Sequence, residues 1–219
     1  MRNTLLDIYN KLFSFFGPQN WWPADSAFEV IIGAILTQSV SWKNVEKAII
    51  NLKDEGILSI EGIINVQNQK LANLIRSTLY HNQKADKLKR FCLYVKEKYD
   101  SDIFKIFDKN IYELRKELLL IKGIGKETAD SIILYAANKP IFVVDAYTKR
   151  IFTRLGYLKG NEDYQIVQDF FMNNLPCNTY LFNEYHALIV ALGKNYCQGK
   201  NPCCDICPLK TLCSYNRSI

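Results

Sequence analysis

Hydrophobic residues recur every three or four positions along most of the chain, which is the spacing of helices that bury one face. The pattern is clearest after Ser26, where Phe28, Ile31 and Ile35 follow one another at helical intervals. Ser26 and Glu29, three residues apart, have the form of a capping box at the start of this helix. The same periodicity predicts further helices over residues 45–52, 71–74, 84–99, 111–120, 128–137, 147–155 and 186–193.

Strictly alternating polar and apolar positions, the pattern of strands, are scarce. The one candidate is the apolar run at residues 140–144, which is short and is followed by Asp145. We interpret this run as an extended connector that enters a helix. The chain is therefore predicted to be all-α, with roughly nine or ten helices.

The composition is that of a globular protein with a proper core. Of the 219 residues, 48% are hydrophobic and 23% are charged, which suits one large domain or two small ones. No flexible linker divides the chain, so two domains would have to pack closely. The 28 Lys and Arg residues exceed the 22 Asp and Glu residues, and the net charge of +6 fits a polyanionic partner without requiring one.

The N-terminal segment carries Asp7 where a signal peptide would be uniformly apolar. No uncharged apolar run approaches the roughly 20 residues that a membrane span needs. We therefore expect a soluble protein of the cytoplasm, where cysteines stay reduced and bind metal more readily than they form disulfides.

Five of the seven cysteines lie close together near the C-terminus. Four of them, Cys197, Cys204, Cys207 and Cys213, follow the pattern C-x6-C-x2-C-x5-C, and Cys203 is left over. Four thiolates in a short loop can bind a tetrahedral zinc ion or an iron–sulfur cluster. A zinc ribbon usually has two C-x2-C pairs, whereas this segment has one, so the spacing favours a cluster.

A Gly-x-Gly turn formed by Gly123 and Gly125 separates two segments of helical periodicity. Glycine permits a tight turn, and the start of the next helix leaves backbone N–H groups unpaired, which suits a phosphate. Alone, such a turn can equally be an ordinary connection between helices. Here Lys122 and Lys126 flank it, and Asp145 follows 20 residues after Gly125.

The cysteine spacing and the hairpin followed by an aspartate together resemble the endonuclease III family of DNA glycosylases, which belongs to the helix-hairpin-helix (HhH-GPD) superfamily. The resemblance implies a two-lobed all-α fold, with a six-helix barrel that contains the hairpin at residues 22–138. Residues 1–21 and 139–219 would form a discontinuous cluster lobe. The resemblance also implies a [4Fe–4S] cluster on the four patterned cysteines, and DNA phosphate contacts from Lys122, Gly123, Gly125 and Lys126.

Asp145 is the residue that the resemblance assigns to catalysis. A carboxylate can stabilise the positive charge that develops on the sugar when an N-glycosidic bond breaks, and it can orient or deprotonate the attacking water. An aspartate before residues 146–150 would also cap a helix, and the two roles are compatible. Bifunctional members of the family carry a Schiff-base lysine 18 residues before this aspartate, where this chain has Glu127. We therefore expect a monofunctional enzyme without lyase activity.

The segment with Trp21, Trp22 and Pro23 resembles the 3-methyladenine DNA glycosylase III branch of the family, as do residues 33–38, 82–85 and 123–130. The resemblance implies a pocket for a flipped base, walled by these three residues and completed by Trp42 and Glu127. Alkylated purines are electron-poor and stack well on indole rings.

Further residues are assigned to DNA contact. Gln38 matches the glutamine that the family uses to fill the space left by the flipped base. Tyr80 is predicted to intercalate, and His81 is predicted to contact DNA from the same loop. His186 lies in an apolar helix and is predicted to be a core histidine without a role in the reaction.

These resemblances imply a DNA glycosylase of base excision repair that binds damaged double-stranded DNA as a monomer. An alkylated purine of the 3-methyladenine type is the first choice of substrate. A mismatch glycosylase that removes thymine or uracil opposite guanine is the alternative within this class. A non-catalytic iron–sulfur protein that binds DNA is the alternative from another class.

Overall fold

The computed structural model describes residues 2–215, with side chains from residue 4 onward, and all regular structure in this range is helical. The all-α prediction is therefore confirmed. The twelve α-helices are α1 (Arg2–Phe16), α2 (Ala27–Leu36), α3 (Trp42–Asp54), α4 (Ile60–Asn65), α5 (Asn68–Leu74), α6 (His81–Tyr99), α7 (Ile103–Phe107), α8 (Ile111–Leu120), α9 (Lys126–Ser131), α10 (Ala146–Arg154), α11 (Tyr164–Asn174) and α12 (Thr179–Asn195). A π-helical turn (Ile132–Ala136) extends α9, and 3-10 turns occupy Arg76–Thr78, Cys204–Ile206 and Lys210–Leu212.

The predicted number of helices, nine or ten, is too low for the described part of the chain. The short helices α4 and α7, of six and five residues, escape a periodicity search because they complete fewer than two turns. The prediction also omits two longer helices. These are α1, although its buried Leu5, Ile8 and Leu12 follow helical spacing, and α11, although its buried Val167 and Phe171 do so too. None of the described helices combines the length and the apolar composition that crossing a bilayer requires.

The chain folds into two compact units. The continuous unit is formed by Ala24–Lys139, and the discontinuous unit combines Met1–Pro23 with Pro140–Ile219. The continuous unit therefore contains α2 to α9, and the discontinuous unit contains α1 and α10 to α12.

Helix α2 is the central element of the continuous unit, where it packs against α3, α6, α9 and the π-helical turn. It can lie there because Glu29 is the one charged residue in a segment that is otherwise apolar. One of the two hydrogen bonds of the predicted capping box is present: the backbone N–H of Glu29 donates to Ser26 Oγ at 3.2 Å. The Glu29 carboxylate, however, accepts from the N–H of Asp25 and pairs with Lys53 at 2.9 Å.

A buried lysine ties the end of α2 to α6. The Lys84 side chain is 2% exposed, and its ammonium group donates to the carbonyl oxygens of Leu36, Gln38 and Thr78 at 2.8, 2.9 and 2.5 Å. Burial lowers the pKa of Lys84 to about 8, and the charge of Lys87 acts in the same direction. This contact fixes the backbone of Gln38, one of the predicted DNA-binding residues.

The discontinuous unit has an aromatic core around α12, which packs against α10 and α1. The rings of Phe142 and Phe171 stack with centroids 4.0 Å apart, and Tyr185 packs edge-on against both. The Tyr185 hydroxyl donates to the carbonyl of Leu5 at 2.9 Å, which attaches α1 to α12. Gly193 allows α10 to approach α12, because a Cβ atom there would lie 2.3 Å from Tyr147 Cδ1.

Residues 140–144 are the predicted connector, and they have no regular secondary structure. Ile141 to Val144 are buried, and the ring of Phe142 packs against Phe171, Phe182 and Tyr185 of the discontinuous unit. Two side chains of α11 satisfy the connector's backbone: Gln168 Nε2 donates to the carbonyl of Phe142 at 2.6 Å, and the N–H of Val144 donates to the Tyr164 hydroxyl at 3.3 Å. The connector is thereby held where it delivers Asp145 to the start of α10.

Candidate active site and DNA-binding elements

Asp145 is the N-cap of α10, as the sequence pattern suggests. Its Oδ1 atom accepts two hydrogen bonds from Thr148, one from the backbone N–H at 2.7 Å and one from the hydroxyl at 2.8 Å. The side chain is 12% exposed. One oxygen is therefore fixed by the helix, which leaves Oδ2 as the atom that can act on a substrate or a water.

His186 lies beside this second oxygen, with Nε2 3.7 Å from Asp145 Oδ2. Burial lowers the pKa of His186, against the opposing effect of the Asp145 charge, so the imidazole is neutral at neutral pH. The sequence prediction of a buried core histidine agrees with its position, but it did not anticipate the neighbouring carboxylate. The available signal was a polar ring on an otherwise apolar stretch of α12, which requires a polar neighbour.

Trp21, Trp22 and Pro23 belong to the discontinuous unit and follow α1 through a short loop. The two indole rings lie with centroids 5.1 Å apart at 47° to each other. Both are half-buried, and Pro23 is exposed. Glu184 on α12 accepts hydrogen bonds from the loop just before them, a contact that was not predicted from the sequence.

The four patterned cysteines line one pocket, in which Arg154, Cys203 and Lys210 also take part. Arg154 Nη1 donates to Cys197 Sγ at 3.2 Å. Burial raises the pKa of the Cys204 and Cys207 thiols, and the neighbouring thiols add to the effect. Four thiolates this close would repel one another, so a cationic metal centre would suit this donor set.

Within residues 2–215, no three His, Cys, Asp or Glu side chains are grouped as ligands of one metal ion. Three lysines of this segment, Lys194, Lys200 and Lys210, are exposed, and Lys210 pairs with Asp205 at 3.3 Å.

The Gly-x-Gly hairpin joins α8 to α9 in the continuous unit. Gly123 has a φ of +107°, a backbone conformation that residues with a side chain rarely adopt. Lys122, Gly125, Lys126 and Glu127 are all exposed, and Gly125 is the N-cap of α9. The hairpin thus presents its two lysines and the first turn of α9 to solvent.

Gln38 lies against this hairpin. Its Nε2 atom donates to the carbonyl of Gly123 at 3.2 Å and to the Thr128 hydroxyl at 2.9 Å. Its Oε1 atom accepts a hydrogen bond from Lys87, a contact that was not predicted from the sequence. Burial lowers the pKa of Lys87, and the charge of Arg90 adds to this effect. Every polar atom of the Gln38 side chain is therefore engaged within the continuous unit.

Tyr80 and His81, by contrast, are not among the described residues that hydrogen-bond to Gln38. Tyr80 is 67% exposed and precedes α6 with a left-handed φ of 44°, and Leu79 before it is also exposed with a φ of 53°. His81 is the first residue of α6. Trp42, the remaining predicted pocket residue, begins α3 and is half-buried.

Comparison with known proteins gives consistent results. Residues 32–177 match the family described as HhH-GPD superfamily base excision DNA repair protein. The chain is 48% identical over 207 residues to the protein named "Putative DNA repair glycosylase MJ1434" from Methanocaldococcus jannaschii, with 94% of each chain covered.

Two solved structures extend the comparison to the fold. H. pylori 3-methyladenine DNA glycosylase (MagIII) bound to 1,N6-ethenoadenine has a TM-score of 0.77 and 30% sequence identity, with 87% of this chain and 97% of that chain covered. A non-covalent Endonuclease III–DNA complex has a TM-score of 0.86 and 22% identity, with 100% and 97% of the two chains covered.

Proposed function

The chain belongs to the HhH-GPD superfamily of base excision DNA repair proteins, and from this premise we propose that it is a monofunctional glycosylase for alkylated purines in DNA. The observation that carries the proposal is the geometry of Asp145, a nearly buried carboxylate with one oxygen fixed by Thr148. The enzyme would act as a cytoplasmic monomer on double-stranded DNA.

In the proposed reaction, the bond between the sugar C1′ and the base nitrogen breaks, and the base keeps the electron pair. An alkylated purine that carries a positive charge leaves as a neutral molecule and needs no protonation. The cation that remains on the sugar is stabilised by the Asp145 carboxylate, and Oδ2 accepts a proton from the water that attacks C1′. The product is an abasic site in an otherwise intact strand.

Selection of the base is assigned to the tryptophan pair. Trp21 and Trp22 lie in the same unit as Asp145 and present half-buried indole rings, which attract a cationic purine through their π-faces. Such stacking would favour an alkylated base over its neutral parent. The assignments of Trp42 and Glu127 to the same pocket stay predictions.

Binding of the DNA backbone is assigned to the hairpin of the continuous unit. Lys122 and Lys126 are exposed on either side of the turn, and Gly125 leaves the N–H groups of the first turn of α9 accessible. Cationic side chains and backbone N–H groups are the usual partners of DNA phosphates. Tyr80, exposed and at the tip of its loop, stays the predicted intercalating residue, with His81 beside it.

The absence of lyase activity follows from Glu127, because a carboxylate cannot form an imine with the sugar. Lys126 precedes it by one residue, which points it about 100° away around the helix. Borohydride treatment with abasic DNA should therefore trap little covalent adduct. Strong trapping that disappears in Lys126→Gln would contradict this assignment.

We propose that Cys197, Cys204, Cys207 and Cys213 would hold a [4Fe–4S] cluster. When bound, such a cluster would supply a structural cross-link and no open coordination position, since four protein thiolates would complete it. The observation in favour is that all four side chains line one pocket, with Arg154 donating to Cys197.

The deciding experiment measures release of radiolabelled base from duplexes that contain methylated purines, G·T pairs or G·U pairs, followed by strand analysis with and without alkali. We expect release of a methylated purine and strand cleavage only after alkali. Release from the mismatches alone would replace the substrate with thymine or uracil opposite guanine.

Asp145→Asn separates an enzyme from a non-catalytic DNA-binding protein. The variant should lose base release and keep its affinity for DNA, because it alters the reacting carboxylate and preserves its shape. A wild-type protein that binds every duplex and releases no base from any lesion would favour the non-catalytic alternative.

A further inference from the structure

We propose that Glu184 is a positioning residue that fixes the Trp21–Trp22–Pro23 wall and thereby sets which bases the enzyme accepts. The proposal rests on the proposed function, in which this wall stacks on the base. Glu184 does not touch the base in this scheme; it acts through the loop that carries the tryptophans.

Glu184 holds the loop with both carboxylate oxygens. Its Oε2 atom accepts from the backbone N–H of Gln19 at 2.8 Å, and its Oε1 atom accepts from the N–H of Asn20 at 2.9 Å. These residues are 165 and 164 positions away in the sequence. Because two successive N–H groups meet two oxygens, the loop can neither slide along α12 nor turn about a single bond, and Trp21 follows directly.

The loop needs an external anchor because its backbone is irregular. Gly17 and Asn20 have left-handed φ values of 72° and 50°, so the segment between α1 and Trp21 has no repeating hydrogen bonds of its own. Gln19 contributes a local contact, from its amide group to the carbonyl of Gly17 at 3.1 Å. The contacts with Glu184 are the ones that connect this loop to a long helix.

Glu184 is buried, and within residues 2–215 its carboxylate interacts with the loop and not with a cation. Its side chain is 2% exposed, and no cationic side chain of the described residues pairs with it. A buried carboxylate is costly to desolvate, and the hydrogen bonds from the backbone N–H groups of Gln19 and Asn20 offset that cost. A buried charge that accepts only backbone N–H groups is best explained by the precise loop position that those bonds impose.

The same helix also reaches the reacting carboxylate. His186, two residues after Glu184, lies 3.7 Å from Asp145 Oδ2, and two residues correspond to about 200° around a helix. Helix α12 therefore contacts the tryptophan loop with one side and the neighbourhood of Asp145 with the other. It sets the distance between the beginning of the wall and the catalytic group within the discontinuous unit.

The first test uses fluorescence and needs no substrate. Trp42→Phe leaves Trp21 and Trp22 as the only tryptophans, since the chain has three. In this background, Glu184→Gln places an amide N–H₂ group against a backbone N–H, so the loop should detach and acrylamide should quench the tryptophans at least twofold more strongly. Unchanged quenching would overturn the proposal.

The second test measures selectivity. Glu184→Gln in the otherwise natural chain should lower kcat/KM for the alkylated base by roughly tenfold to a hundredfold, the usual effect of a misplaced binding group. Discrimination between alkylated and undamaged purines should fall as well. A variant with reduced stability but with natural selectivity and quenching would show that Glu184 is merely structural.

Glu162→Gln is the matched control. Glu162 lies in the same unit, and its two oxygens also accept from successive backbone N–H groups, those of Lys159 at 2.5 Å and Gly160 at 2.9 Å. This substitution should leave quenching and selectivity unchanged. Equal effects of the two substitutions would contradict a specific role for Glu184.

The test remains informative if Glu184→Gln does not fold or if the wild-type protein is inactive. If Glu184→Gln does not fold, Glu184→Asp, which keeps the charge but is one methylene shorter, replaces it in both measurements with the same expectation. If the wild-type protein releases no base, the proposed function fails, whereas the quenching comparison still decides whether Glu184 holds the tryptophans.

Discussion

Asp145 caps a helix and, in the proposed reaction, also supplies the reacting carboxylate. An N-cap aspartate needs one oxygen for the backbone N–H three residues later, and here Oδ1 accepts both from that N–H and from the Thr148 hydroxyl. The remaining oxygen is oriented as a consequence. The helix end thereby supplies a preorganised carboxylate, and both hydrogen bonds that hold it come from Thr148.

Thr148→Val tests whether the Thr148 hydroxyl orients the Asp145 carboxylate. Valine keeps the shape of threonine but removes the hydroxyl that donates to Asp145, a charge-assisted hydrogen bond worth about 1.5–3 kcal/mol. We expect the single-turnover rate of base release to fall on the order of tenfold. Thr153→Val is the control, because it removes a hydroxyl of the same helix that donates to the carbonyl of Lys149 instead. Equal rates for the two variants would argue against the role of Thr148.

At this scale the sequence was informative only where partners are close in the chain. The capping role of Asp145 could be predicted because Thr148 is three residues away. The contacts of Glu184 with the loop before Trp21 could not, because they join positions more than 160 residues apart. Gln38 was assigned from resemblance, whereas its bonds to Gly123 and Thr128 depend on how the helices of the continuous unit pack.

The hairpin between α8 and α9 depends on the two glycines unequally. An alanine at position 123 would adopt a strained φ of +107°, and its Cβ would lie 2.6 Å from Lys87 Cγ. Gly125 has an ordinary φ of −93° and open space around it. The two positions therefore offer a matched pair of substitutions.

We expect Gly123→Ala to lower the free energy of unfolding by about 1–3 kcal/mol, because the left-handed conformation is costly for alanine and the Lys87 stem must move. Gly125→Ala should change it by less than about 1 kcal/mol. Urea denaturation of the two variants measures both values. A Gly125→Ala variant as unstable as Gly123→Ala would contradict this reading of the turn.

Helices α6 and α8 are joined around a buried carboxylate. Glu117 accepts hydrogen bonds from Lys98 and Tyr94, each at 2.7 Å, and from the Tyr99 hydroxyl, and Lys109 lies 3.1 Å away. Burial by itself would raise the pKa of Glu117, but these bonds outweigh it and lower the pKa to about 2. The folded protein therefore favours the ionised form of Glu117.

This lowered pKa predicts acid sensitivity. The unfolded chain takes up the proton near pH 4.5 and the folded chain near pH 2, so the stabilisation is complete above pH 4.5 and is lost between these values. Glu117→Gln should flatten this part of the curve of unfolding free energy against pH and cost about 2 kcal/mol at pH 7. Glu113 is exposed on the same helix, and Glu113→Gln should change neither the pH dependence nor the stability at pH 7. Equal curves for the two variants would refute the prediction.

Some long helices could be predicted closely from the sequence, whereas α1 and α11 were missed and α12 was predicted only over residues 186–193. The prediction for α8 agrees with the structure at both ends, and that for α6 misses only the first turn. Residues 128–137 show why the limit exists: the apolar period continues, but the backbone changes from α-helix to a π-helical turn at Ile132. Packing within the unit, and not the local period, decides such a change.

The net charge of +6 describes the whole molecule, but DNA affinity depends on which charges are free to act. Lys122 and Lys126 are exposed at the hairpin, whereas Lys70 pairs with Glu55 at 2.6 Å. When a lysine contacts a DNA phosphate, counterions are released from the DNA. A lysine that stays paired within the protein releases none.

Salt dependence of duplex binding distinguishes these lysines. Lys122→Gln or Lys126→Gln should each reduce the slope of log affinity against log salt by about 0.9, because one phosphate contact is lost. Lys70→Gln should leave the slope unchanged. Fluorescence anisotropy over a series of salt concentrations provides the slopes. A larger change of slope for Lys70→Gln than for the two hairpin variants would show that DNA does not bind at the hairpin.

The discontinuous unit also has a consequence for synthesis on the ribosome. Helix α1 buries Leu5, Ile8 and Leu12 and is attached to α12 through Tyr185, which is made 180 residues after Leu5. At translation rates of 5–20 residues per second, roughly ten to forty seconds pass before that partner exists. The continuous unit is complete in the meantime. The apolar face of α1 is therefore a segment that nascent-chain chaperones can bind until the last long helix closes over it.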